Sequence, residues 1–165
     1  MTVSSRALLL GIAAVALSAV AAALVSQHVF DMQPCPWCVL QRLIFATIAL
    51  LALLGLAWRS TAGQRSVAVG VMLLGAAGIA AVLWQHFVAA ASASCNLTLA
   101  DRIMSASSLP ALLPEVFEAR ATCADAVANL LGVPYEFWGL ALFVAVGAAA
   151  VGLLLRTRGR TGSDR

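Results

Sequence analysis

Four apolar runs divide this chain, and they constrain its fold more than any other feature. They extend over about residues 7–26, 40–58, 67–88 and 135–155. Each approaches the roughly 20 residues that carry a helix across a bilayer. The composition agrees, with 62% hydrophobic and only 10% charged residues among 165, far from that of a soluble domain. The expected fold is an all-α membrane protein, an up-and-down four-helix transmembrane bundle forming a single integral domain over residues 1–165. The first run has Ala-rich stretches like those of a signal-peptide processing site. It is nevertheless longer than the 7–15-residue core of such peptides, so a retained first helix is expected.

Charge sets the orientation. Arg6, Arg59, Arg65, Arg156, Arg158, Arg160 and Arg165 fall on one side of such a bundle. Every acidic residue except Asp164 falls on the other, together with all four cysteines. Arginines near helix ends mark the cytoplasmic side, so both termini and the link between the second and third runs are expected there. The loops at about residues 27–39 and 89–134 then face the periplasm or its equivalent, where disulfides persist. The net charge is a modest +3 and the arginines do not cluster on one surface, which argues against a nucleic-acid partner.

The first of these loops carries Gln33-Pro34-Cys35-Pro36-Trp37-Cys38-Val39-Leu40-Gln41-Arg42. A Cys-x-x-Cys pair closes into a disulfide or holds a metal. Pro36 suits a first helical position, which makes Cys35 the N-cap and puts Cys38 at the third position. Unpaired backbone N–H groups and the positive end of the helix dipole favour an anion there. Arg42 lies four residues further on the same face. A helix terminus and a guanidinium together lower a thiol pKa, which points to Cys38 as the reactive sulfur. The alternatives for Arg42 are a snorkelling side chain, and for the cysteines an inert bridge. Zinc would need two more ligands from Cys95, Cys123 and His28. That spacing makes a loose finger, so no metal site is expected.

Cys95 and Cys123, near the two ends of the longer loop, form a second candidate pair. A bridge there would be structural, or open to attack by a partner's thiolate. Between them Leu109, Leu112, Leu113, Val116 and Phe117 recur at helical spacing around two prolines. This predicts a short amphipathic segment that lies on the membrane surface or packs onto the end of the bundle. His28 and His86 fall near the same ends of the first and third helices. Either ligates a haem, contacts a quinone or simply anchors a helix end. Trp84, Tyr135 and Trp138 read as interfacial aromatics. Gly70, Gly75 and Gly78 predict close helix packing.

Taken together, the chain resembles the bacterial disulfide bond formation protein B (DsbB) family. The resemblance rests on Gln27-His28-Val29, Pro34-Cys35-x-x-Cys38 with Arg42, Gln85-His86, Cys95, and Cys123 followed by Gly132 and Pro134. It implies an inner-membrane oxidoreductase that reoxidises a periplasmic thioredoxin-fold dithiol oxidase of the DsbA type. Electrons would pass to a membrane quinone, either ubiquinone or menaquinone. By this resemblance the partner attacks Cys95 and frees Cys123; Cys123 then attacks Cys35 and releases Cys38 as a thiolate. Arg42 and His86 would be quinone neighbours. The competing expectations are a haem protein using His28 and His86, or a structural membrane protein with two inert disulfides.

Overall fold

The computed structural model describes residues 4–58, 60–91 and 98–162, with side chains to residue 158. Cys95 and Arg59 lie outside the described residues, as does the tail from residue 163. Four helices in it are long and apolar enough to cross a membrane. They are α1 (Ser5–Val29), α2 (Pro36–Ala57), α3 (Thr61–Trp84, continued by a π-helical turn over Gln85–Ala89) and α7 (Tyr135–Gly162). Successive long helices pack on one another, and α7 closes the ring against both α3 and α1.

The helices outrun the apolar runs because side-chain caps, not hydropathy, set where they begin. Ser4 accepts a hydrogen bond from the Ala7 N–H at 3.1 Å. Ser60 accepts from the Gly63 N–H at 3.2 Å, so α3 starts six residues before Val67. Each cap satisfies an N–H that the first turn leaves without a partner.

Packing along the middle of the bundle is dry and close. Ile48, Val71, Val82, Phe143, Val146 and Leu153 are almost wholly buried. Phe45 of α2 stacks on Phe143 of α7, with centroids 3.9 Å apart and planes 8° from parallel. The glycines of α3 make room for this. A Cβ on Gly78 would collide with the Phe143 ring, and one on Gly75 would stand 3.7 Å from the Phe143 carbonyl. The close approach read from these small residues is therefore made, to α7 and, at Gly70, to Leu51 of α2.

The long segment between α3 and α7 has a fold of its own. Helix α4 (Leu99–Ser107) opens with a capping box in which Thr98 and Asp101 bond reciprocally. It buries Ala100 and Met104, and packs on α2. The apolar series from Leu109 does not form one helix. It breaks at Leu113, before Pro114, into the single turns α5 (Leu109–Leu112) and α6 (Pro114–Phe117). Phe117 is buried and Leu109 and Val116 pack against the core, while Leu112 stays 71% exposed. A two-stranded hairpin, β1 (Asn129–Leu130) and β2 (Val133–Pro134), then leads into α7. Its two-residue turn holds Leu131 and Gly132 at φ 56° and 80°. Glycine takes that conformation freely and leucine does so only under strain.

Candidate functional site

The site is built on the first turn of α2. Cys35 is the N-cap, with extended backbone, and its sulfur accepts the Cys38 N–H at 3.3 Å. Pro36 occupies the first helical position, where its missing N–H costs nothing. The Cys35 and Cys38 sulfurs stand 2.9 Å apart.

Two backbone bonds fasten the long segment to this turn. The Arg120 and Ala121 N–H groups both donate to the Pro34 carbonyl, at 2.9 and 3.3 Å. Three residues after Arg120, Cys123 reaches the motif. It hydrogen-bonds with Cys35 and receives the Trp37 N–H on its sulfur. The hydrogen bond from Cys35 and the Trp37 amide hold the Cys123 thiol below its ordinary pKa, against the desolvation that would raise it. Cys35 is pushed up by its bonds to Cys123 and Cys38, and further by burial. Of these two sulfurs, Cys123 is the more readily ionised and therefore the better nucleophile.

Two first-turn N–H groups, those of Trp37 and Cys38, point at Cys123 and Cys35, the sulfurs outside the helix. Besides the Cys35 sulfur, the Cys38 sulfur meets a side-chain amide, the Gln85 Nε2, at 3.3 Å. The Gln85 Oε1 in turn accepts from Gln41 Nε2 at 2.7 Å.

Arg42 is on the same face as Cys38, as the spacing predicts, but it does not snorkel. Only 4% of it is exposed. One guanidinium nitrogen donates to Gln27 Oε1 of α1 at 2.9 Å and to the Val116 carbonyl of α6 at 2.5 Å. The other reaches the Ala23 carbonyl at 3.5 Å. Its Nε is buried without a partner. The guanidinium thus ties α1, α2 and the long segment together at one point.

Between α1, α2 and α7, beside these groups, is a cavity of about 330 Å³. Its wall is mainly apolar, with Ala19, Ala22, Phe45 and Leu142 among its members. The polar groups that converge on it include Cys38, Gln41, Arg42, Gln85, Tyr135 and Glu136. A largely apolar hollow with a few placed polar groups is the usual form of a small-molecule site.

The histidines are placed differently. His28 is exposed, 4.0 Å from Glu115. His86 stands behind the cavity wall, with its Nδ1 2.8 Å from Glu136 Oε1 and its ring against Phe87 and Phe137. Each imidazole faces a carboxylate of a different element, so the two do not face one another as a haem pair would. Of the interfacial aromatics, Tyr135 bonds through its hydroxyl to Ser26 at 3.0 Å and joins the cavity wall, as does Trp138. Trp84 packs on Trp37 with centroids 6.3 Å apart, which gives the second intervening residue of the motif a packing role.

A model of the family described as disulfide bond formation protein DsbB matches residues 5–153. The chain belongs to the DsbB family. It is 35% identical over 161 residues to the disulfide bond formation protein B of Cupriavidus necator, covering 96% of this chain and 98% of that protein. It is 32% identical over 160 residues to that of Aromatoleum aromaticum, with coverage of 94% and 96%. To that of Herminiimonas arsenicoxydans it is 32% identical over 144 residues, covering 87% and 90%. Membership and the four long helices together make it a multi-pass membrane protein and a disulfide-forming oxidoreductase.

Several groups of the site escape a reading for reactive residue types. Gln27 and Gln85 each precede a histidine, and the histidine draws attention first. One residue is about 100° of rotation on a helix, so the glutamine faces inward while its neighbour faces away. The signal was a glutamine within an apolar run, where an amide needs a partner. The π-helical turn carries the same logic further. Its Ala90 N–H bonds to the Gln85 carbonyl five residues back, at 2.9 Å. Gln85 is thereby directed to α2, and His86 to α7. Such turns recur at functional sites.

Proposed function

We propose that this chain is a quinone-dependent thiol oxidase of the bacterial inner membrane, which reoxidises a DsbA-like periplasmic dithiol protein. The observation that carries the reading is the cavity bounded by both Cys38 and Arg42, with Cys123 at the opposite face of the same cysteine pair. In a working cycle the partner's thiolate attacks Cys95, a mixed disulfide forms and Cys123 leaves as thiolate. Cys123 then attacks the Cys35 sulfur. A Cys35–Cys123 bond forms, the Cys35–Cys38 bond breaks, and the electron pair departs on Cys38, which faces the cavity. The Trp37 N–H on the Cys123 sulfur supports its part as nucleophile, because exchange proceeds through the thiolate and this bond does not need a Cys35 thiol.

The cavity fits a quinone head group. Its walls are apolar, and Arg42 presents a buried Nε that lacks a partner, suited to a carbonyl oxygen. A bound quinone would supply a two-electron, two-proton acceptor. Arg42 would orient it and stabilise negative charge beside Cys38, while the Gln85 amide holds the sulfur in place. Sidedness follows from charge. Arg6, Arg65, Arg156 and Arg158 fall at the end of the bundle away from the cysteines, which supports cytoplasmic termini and periplasmic cysteine loops.

The test uses purified protein in detergent, a reduced thioredoxin-fold dithiol protein, and excess ubiquinone or menaquinone without oxygen. Catalytic quinone reduction by wild type, lost in Cys38→Ser, is the expected result. Absence of reduction with both quinones would overturn the reading in favour of inert bridges.

A further inference from the structure

The two-electron reduction of a quinone consumes two protons, and no group discussed so far delivers them to the cavity. Thiol protons are shed where the thiolates form, at the Cys123 face. Arg42 keeps its charge and is no proton source. Among the described cavity-lining residues, Glu136 is the one carboxyl. Its side chain is 9% exposed, and it bonds to the His86 Nδ1 at 2.8 Å. At that distance a proton must lie between nitrogen and oxygen. The His86 side chain is 32% exposed near the cysteine end of the bundle, so the imidazole links the buried carboxyl to the outer surface. Phe87 and Phe137 both pack against the ring, each with its centroid 4.8 Å away.

The geometry points to Glu136 as the proton donor of the cavity, with His86 as the group that reloads it. The inference rests on the quinone reading above and gives it the proton path it lacks. The electron pair enters from Cys38. Glu136 gives its carboxyl proton to the quinone oxygen and becomes carboxylate. His86 then passes its Nδ1 proton to Glu136 Oε1 and regains one from water at its exposed edge. The carboxyl proton and the one His86 passes on are the two that the reduction consumes. The pair reloads from solvent between turnovers, and the products are quinol and the protein disulfide. The other titratable groups facing the cavity are Cys38 and Arg42 of α2 and Tyr135 of α7, while Glu115 and His28 pair with each other away from it. The π-helical turn matters here too, since it lets adjacent residues serve the two halves of the reaction: Gln85 holds the sulfur and His86 the proton.

The experiment compares wild type, Glu136→Gln and His86→Ala in detergent. Single-turnover quinone reduction should fall roughly a hundredfold in Glu136→Gln, the usual scale of a lost general acid. Formation of the mixed disulfide with the partner should be unchanged. Infrared difference spectra, quinone-bound minus quinone-free, should show a carboxyl C=O band in wild type that shifts in D₂O and is missing in Glu136→Gln. Added imidazole should restore rate to His86→Ala, which a merely structural histidine would not allow. If Glu136→Gln does not fold, the imidazole arm decides alone. A wild-type rate in Glu136→Gln, or no rescue of a slow His86→Ala, overturns the inference and leaves the oxidase standing. Wild type that exchanges disulfides but reduces no quinone overturns both.

Discussion

Two regions of the bundle bury side chains equally deeply with opposite chemistry. Through the middle and towards the arginine-bearing end, Ile48, Val71, Phe143, Val146 and Leu153 are packed against one another. The side chains of Gln64 and Thr157, buried there, bond close by in sequence, to the Trp58 and Leu154 carbonyls, and one bond crosses, from Arg65 to the Thr157 carbonyl at 3.3 Å. At the cysteine end, Gln27, Gln41, Arg42 and Gln85 are just as buried, and their bonds cross between α1, α2, α3 and α6. The first region therefore supplies stability through shape. The second holds its geometry through polar contacts that each depend on a distant piece of chain. Removing one partner there leaves a buried group unsatisfied, which costs more than an average hydrogen bond contributes.

The sharpest way to separate the regions is Cys38→Ser. Quinone reduction in the coupled assay should drop to background, while thermal unfolding in detergent stays near that of wild type. A large loss of stability would mean that the sulfur serves packing.

Arg42→Met tests whether the cysteine end joins function to structure. It strips donors from Gln27 and the Val116 carbonyl, so a loss of about 2–3 kcal/mol is expected, together with a raised quinone KM. Unfolding curves and steady-state kinetics read the two effects separately. An unchanged stability would show that the inter-helix bonds of Arg42 contribute nothing net.

Gly78→Ala should do the reverse. The added methyl group forces the Phe143 ring aside, and overpacking of this kind costs roughly 1–3 kcal/mol. Turnover per folded molecule should be retained. A loss of turnover in excess of the unfolded fraction would show that the middle of the bundle also shapes the cavity.

The smallest effect concerns pH. Cys123 is held below the ordinary thiol range, first by its hydrogen bond with Cys35. The thiolate is the reactive form, so the rate of Cys123 alkylation should rise with pH and level off earlier than for an exposed cysteine. In Cys35→Ala the midpoint should move to higher pH, because the largest stabilising contact is gone. A midpoint unmoved by that change would assign the effect to the Trp37 amide instead.

Much of the fold was legible before any coordinates. The four apolar runs predict four long helices because only a helix satisfies its own backbone in hydrocarbon. Pro36 after Cys35 predicts the cap, since both constraints act within one turn. The glycines of the third run predict its close packing. The Leu109–Phe117 periodicity predicts one segment where the chain forms two turns. Proline at position 114 has no N–H to continue a helix, and the segment divides there, one part buried and one exposed.

Local rules thus determined the helices, the position of the cysteine pair and the face shared by Cys38 and Arg42. Only the tertiary structure decided what those residues touch. Gln85 is 47 residues from Cys38, and Val116 is 74 from Arg42. Cys123 meets Cys35 because two backbone bonds pin residues 120 and 121 to Pro34. Glu136 meets His86 because α3 and α7 are neighbours in the ring. Periodicity and capping act over a few residues, whereas partners at such separations are chosen by how whole helices pack.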